Sequence, residues 1–281
     1  MTNIQTRPAQ YFMRFGEDGI PCNQYALSKL GIGKANCSLK IGDHYIAAMP
    51  FQMGFKRSFF LAPINKGELE FYQRHINSII SLSIVFAQNS QRKPLSFFIR
   101  CNLISLRPMQ GREDVGIFMV DYRHTPDDLA VVLGEYLENQ ERIRNLHNDY
   151  SNSFIKLNPE TSKKLGYNNY ATIIDSAEPE KRIQAYRIST KTMEHLESDD
   201  APLRAPGQQV VYQLYFNNYM VSITGTVASS EKMPQGFVKT VSTLSFCPEL
   251  IEIIGNYWSN DFNASQWTSL RQQSRTFACA G

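Results

Sequence analysis

The sequence predicts a mainly β protein of two tandem six-stranded antiparallel barrels, each ending in a helix. Three observations predict it. Short runs rich in β-branched and aromatic residues recur between turn signals. Each half closes with an apolar strand, a proline–acid helix start and a helical stripe, over Gly116–Leu137 and again over Phe237–Tyr257. The tripeptide Lys29-Leu30-Gly31 returns as Lys164-Leu165-Gly166, at an offset of 135. Six short strands and a terminal helix bury a core by curling into a small barrel, and a repeated order of elements points to two copies. The expected domains are 1–145 and 146–281, the second with a polar tail. The polar, basic stretch Glu141–Leu165 is the expected joint.

Residues 1–20 read as a polar arm with a few aromatics. Tyr25–Leu30 suits a short helix stopped by Gly31, since glycine accepts the left-handed conformation that ends helices. Asn36–Ile41 and His44–Met49 flank Gly42-Asp43, a tight-turn pair. Ser58–Ala62, Ile79–Phe86, Leu95–Leu106 and Gly116–Val120 read as further strands. The period then changes. Thr125-Pro126-Asp127-Asp128 offers a capping hydroxyl, proline at the first position and acids in the first turn. Leu129, Val132, Leu133, Tyr136 and Leu137 follow at helical spacing, and the helix is expected to reach about Asn145.

In the second half, Pro159 and Leu165-Gly166 bracket another short helix. Tyr170–Asp175 and Lys181–Ser189 read as strands around Glu178-Pro179, and Glu197–Gly207 as a loop. Gln209–Phe216, Val221–Val227 and Gly236–Phe246 complete the strands, with Asn217-Asn218 as a turn. Cys247-Pro248-Glu249 starts a helix whose Leu250, Ile253, Ile254 and Tyr257 face inward; the tail Asp261–Gly281 is polar.

Composition narrows function. The 281 residues are 42% hydrophobic and 20% charged, ordinary for a globular protein. A net charge of +3 argues against nucleic-acid polymer or membrane-surface binding through overall charge, though it leaves room for a local basic patch. No run is long and apolar enough for a membrane span, and the N-terminus does not read as a signal peptide. A cytoplasmic protein without membrane insertion is the expectation. Cys22, Cys37, Cys101, Cys247 and Cys279 form no CxxC, so inert thiols are expected rather than a zinc or redox site. His44, His75, His124, His147 and His195 lack metal-ligand spacing, and no nucleophile or phosphate-loop motif is complete. Gly31-Ile32-Gly33-Lys34 reads as a turn. The chain is therefore not expected to be an enzyme or to hold a metal or cofactor.

Basic residues crowd the joint: Arg142, Arg144, Lys156, Lys163 and Lys164, then Lys181, Arg182 and Arg187. Arginine forks suit phosphates and the edges of guanine. The tandem plan, the entry segment Ile155–Gly166 and the two strand–helix endings resemble two-domain bacterial PilZ proteins, in which an atypical PilZ-like barrel precedes a second PilZ domain. The resemblance covers roughly residues 20–260. It implies cyclic di-GMP signalling, and through it motility. That family grips cyclic di-GMP with RxxxR just before the barrel and [D/N]xSxxG near the second or third strand. Here Tyr150 and Phe154 stand where the arginines would. At Arg187–Thr192 only Ser189 matches, and Pro50–Gly54 fails at the corresponding place in the first half. One RxxxR, Arg271 to Arg275, follows the second barrel. The resemblance thus implies a regulatory or adaptor protein acting through a protein partner, with nucleotide binding lost or weakened. The alternative is a working cyclic di-GMP receptor with displaced groups, whose candidates are Arg142, Arg144, Lys156, Arg187 and Ser189.

Overall fold

The structure is a computed structural model that describes residues 6–33, 36–65, 67–87, 94–175, 180–217 and 219–259. The expected turn at Glu178-Pro179, Cys279, the polar tail and Arg271 with Arg275 lie outside the described residues. The described chain falls into two compact units that divide after Asn139.

The first unit runs α1 (Arg7–Phe15), β1 (Gly19–Pro21), α2 (Gln24–Leu30), β2 (Cys37–Ile41), β3 (His44–Ala47), β4 (Met49–Gly54), β5 (Arg57–Pro63), α3 (Glu68–Arg74), β6 (Ile79–Phe86), β7 (Leu95–Met109) and β8 (Arg112–Tyr122). The helix α4 (Asp127–Asp149) follows and crosses the division. Its sheet is antiparallel, in the order β1-β4-β5-β8-β7-β6-β2-β3. Strict alternation buries one face, as in Ile80, Leu82, Ile84 and Phe86 of β6 against Phe97, Ile99, Cys101 and Leu103 of β7. Leu129, Ala130 and Leu133 of α4 complete that core.

The second unit contains β9 (Ile155–Lys156), α5 (Pro159–Leu165), β10 (Tyr167–Ile174), β11 (Lys181–Ile188), β12 (Thr192–Ser198), β13 (Gln209–Phe216), β14 (Tyr219–Met233), β15 (Phe237–Leu244) and a terminal helix α6 over 248–259. Here the order β10-β13-β14-β15-β12-β11 closes on itself, because β10 also pairs β11 through Ala171↔Ile183 and its neighbours. This is a closed six-stranded antiparallel barrel. Leu250, Ile251 and Ile254 of α6 are buried, and Leu250 and Ile254 join the barrel core.

The first unit departs from the expected six strands, having eight, and its physical reason is local. Only Ala48 separates β3 from β4, yet β3 pairs β2 while β4 pairs β5. One bent run thus does what the single strand β11 does in the second barrel, between β10 and β12. The added strand β1 pairs β4, as β9 pairs β11. Both units follow one circuit.

The 135-residue offset is visible in the caps. Asn23 accepts the Ala26 N–H, and Asn158 accepts the N–H groups of Glu160 and Thr161. Gly31 and Gly166 end their helices with φ of 70° and 68°, where any side chain would be strained.

Four expectations need correction. Residues 7–15 form a helix rather than part of a polar arm, because Tyr11 and Phe15 lie one turn apart and bury themselves in the first core. The helix α3 is an element the strand pattern did not announce. The stretch from Glu197 is not all loop: β12 continues to Ser198 in register with β15. Finally, α4 runs past Asn145 to Asp149, since Ile143 is buried and anchors its last turns. Cys37, Cys101 and Cys247 are buried free thiols, and burial pushes all three up to about 12, which keeps them inert at neutral pH.

Candidate functional site

The expected site residues sit where the chain leaves α4 and enters the second barrel. The turn between β11 and β12, Ser189 to Thr192, is fastened to that entry segment. The Ser189 hydroxyl donates to the Ser151 carbonyl (2.8 Å) and accepts from the N–H groups of Lys191 (3.2 Å) and Thr192 (3.1 Å). The Thr190 hydroxyl donates to the His147 carbonyl at 2.8 Å. Ser189 is fully buried, so these bonds satisfy a hydroxyl that water does not reach.

Arg187 lies just before this turn. Its guanidinium stands over the Phe154 ring at 4.5 Å and meets Glu194 at 3.3 Å. In register with it across β9 is Lys156, whose ammonium stands over the Tyr186 ring at 5.5 Å. Tyr150 stacks on Trp258 of α6, with centroids 6.1 Å apart and planes 15° from parallel. The structure therefore gathers Lys156, Arg187 and Ser189 at one strand end. It does not gather Arg142 and Arg144 on one face: both are exposed on α4, and two positions along a helix turn a side chain by about 200°.

A second polar assembly escaped the sequence reading. It lies inside the second barrel, where β12 points Met193, His195 and Glu197 inward. His195 Nε2 lies 3.0 Å from a Glu197 carboxylate oxygen. Tyr212 Oη lies 3.3 Å from His195 Nδ1 and 2.7 Å from Ser242 Oγ. Arg204, from the loop after β12, pairs with Glu197 through Nη1 and, at 3.3 Å, through Nη2. Its Nε approaches Asp175 at 3.8 Å, and Lys181 reaches Glu197 at 3.4 Å from the rim. A neutral His195 protonated on Nε2 satisfies the whole chain: Ser242 donates to Tyr212, Tyr212 to Nδ1, and Nε2–H to Glu197. The inward alternation of His195 and Glu197 was the available signal. Beside this assembly opens a groove of about 700 Å³, with Tyr167, Arg182, Gln184 and Phe237 among its lining.

The assembly has a pH signature. Burial holds His195 below its ordinary value of 6.5, outweighing the Glu197 carboxylate. Burial alone would raise Glu197, but hydrogen bonds from His195 and Arg204 overcome it and bring the carboxyl down to about 2. Both folded values are depressed, so the unfolded chain binds more protons. Stability is then lost as pH falls, below about 6.5 for His195 and below about 4.5 for Glu197. The urea midpoint should decline from pH 7 to pH 5, and the His195→Gln variant should show a flatter profile across that interval. Equal slopes would remove His195 from the account.

Among the described residues no group of three or more His, Cys, Asp or Glu could hold a metal ion, and no described helix is long and apolar enough to cross a membrane. A comparison with curated protein sequences gave no match. Among solved structures, the chain is similar to the Borreliella burgdorferi PlzA protein in complex with c-di-GMP, at 12% identity and a TM-score of 0.41, covering 89% of this chain and 97% of that one. It is similar to the Bacillus subtilis inhibitor of motility MotI/DgrA at 10% identity and a TM-score of 0.31, over 83% and 97% of the two chains. It is also similar to YcgR in complex with c-di-GMP from Escherichia coli, at 9% identity and a TM-score of 0.29, over 90% and 92%. Residues 6–140 are matched to the PilZN3 domain family, and a closed barrel of the same strand circuit follows them.

Proposed function

We propose that this chain is a non-enzymatic regulatory or adaptor protein of the cyclic di-GMP signalling type, working through a protein partner, with nucleotide binding lost or weakened. The N-terminal PilZ-like domain is taken as 1–145 and the C-terminal PilZ domain as 146–281. One observation carries the reading. The two positions that correspond to the family's arginines hold Tyr150 and Phe154, and both rings are already engaged, with Trp258 and Arg187. The position of the family's acid is Arg187 itself, its charge met by Glu194.

Each charge-assisted contact is worth roughly 1.5–3 kcal/mol. Losing two weakens binding by about two orders of magnitude or more. Isothermal titration with cyclic di-GMP should therefore give no saturable heat at low micromolar concentration.

The alternative, a working receptor, has one observation in its favour: Lys156, Arg187 and Ser189 share one strand end. It assigns contacts to these three with Arg142 and Arg144. Under that reading the titration saturates, and replacing Arg142, Arg144 and Arg187 with alanine abolishes the heat.

A further inference from the structure

The outer face of the first sheet carries a row of groups that the fold does not use. Register places Tyr45 of β3 beside Lys40 of β2, Lys40 beside Ser81 of β6, and Ser81 beside Arg100 of β7. One step beyond the Cys101↔Tyr122 pair, the Arg123 N–H donates to the Arg100 carbonyl at 3.0 Å, so the two arginines stand directly opposite each other. The next row is Ala47, Ser38, Ser83 and Phe98. These side chains alternate with the buried set Leu39, Leu82, Ile99 and Val120, and so point outward.

Three features set this face apart. Like charges directly opposite on neighbouring strands destabilise a sheet, yet Arg100 and Arg123 are both exposed and, among the described residues, neither forms an ion pair. The carboxylate in the adjoining row, Asp121, is taken by Arg57 through bonds of 2.5 and 2.8 Å. Phe98 and Tyr45 are each 69% exposed, far more than packing requires, and Lys40 already stands over the Tyr45 ring at 5.0 Å. Between the two rings the floor is serine: Ser38, Ser81 and Ser83.

We propose that this face binds single-stranded nucleic acid. Arg100, Arg123 and Lys40 would take phosphates, which removes the arginine–arginine repulsion. Phe98 and Tyr45 would stack bases, since every base has a face that an aromatic ring can cover. Five strands at about 4.8 Å spacing give a platform about 19 Å wide, enough for a few nucleotides lying across it. A low floor between two raised rings suits a chain of flat groups. A membrane-binding surface would instead gather its aromatics at one protruding tip. A net charge of only +3 keeps the binding modest and local, in the micromolar range at physiological salt.

The test is fluorescence anisotropy of the full chain with a labelled oligothymidylate of about 16 nucleotides. Salt is titrated from about 50 to 200 mM, and vesicles containing phosphatidylserine are assayed in parallel by flotation. The double variant R100E/R123E should lose at least about tenfold in affinity, with its salt slope reduced by about 1.4. F98A should lose about tenfold with an unchanged slope, because stacking releases no counterions. R100K/R123K should retain binding, and thermal melts should show all three variants folded. Failure of the wild type to bind the oligonucleotide at low salt would overturn the proposal. So would equal binding by R100E/R123E, or binding to vesicles alone, which would assign the face to a membrane surface.

Discussion

Replacing Arg204 with methionine should destabilise the second barrel by about 3–5 kcal/mol, the cost of leaving a buried charge without its partner. The Glu197 side chain is 1% exposed and Arg204 2%, so water cannot take over the lost pairing. What remains to Glu197 is the neutral His195 and a single ion pair with Lys181 from the rim. Methionine matches the arginine stem in bulk, so the loss should be electrostatic rather than a cavity. The double variant Arg204→Met, Glu197→Gln removes both charges and should cost clearly less than the single one, because buried pairs replaced together are often near neutral. Trp258 packs against the second core, so its fluorescence in urea follows that unit. If the single and double variants unfold at the same urea concentration, the pairing between Arg204 and Glu197 contributes nothing.

Gly134→Ala should cost the first unit about 1–3 kcal/mol, against the usual rule for helices. Alanine in a helix interior ordinarily gains up to about 1 kcal/mol over glycine. At this position, however, a Cβ would lie 2.2 Å from Cγ of Tyr11 and within 2.6 Å of both neighbouring ring carbons. The clash is with the root of the ring, which cannot swing aside. Tyr11 is held further by Glu138, to which its hydroxyl donates at 2.8 Å, and by Arg7, which donates to that hydroxyl. The helix α1 must shift, exposing Tyr11 and Phe15. Faster amide exchange across residues 7–15 should accompany a lower melting temperature. A variant that melts higher than the wild type would show that α1 tolerates the methyl group.

Much of the architecture was legible because it is written locally. Gly31, and again Pro159 with Gly166, mark their helices through residues a few positions apart. Alternation in Ile79–Phe86 and Gln209–Phe216 announces strands with one buried face. What escaped depends on distant partners. The helix α1 carries its core contacts on Tyr11, Phe12 and Phe15, and the glycine that receives Tyr11 lies far along the chain in α4. Polar His195 and charged Glu197 do not look like barrel interior until Arg204 arrives from a loop. The break at Ala48, which makes two strands of one, carries no composition signal.

The site was half legible in the same sense. Ser189 stood out by type, but its role depends on the carbonyl of Ser151, and a main-chain acceptor leaves no mark in the sequence. Arg142 and Arg144 looked like a pair by proximity, while helical geometry sends them apart.

The way each sheet ends has a consequence for behaviour at high concentration. A ribbon of unpaired amides invites another molecule to add on and grow a fibre. The second barrel offers no such ribbon around its circuit, and the first terminates in strands of only three and four residues, Gly19–Pro21 and His44–Ala47. Proline at the end of the one and the sharp reversal at the other leave almost nothing to copy. Samples held for weeks should stay free of thioflavin-binding aggregates so long as the fold is intact, and should acquire them only when acid or denaturant opens the circuit.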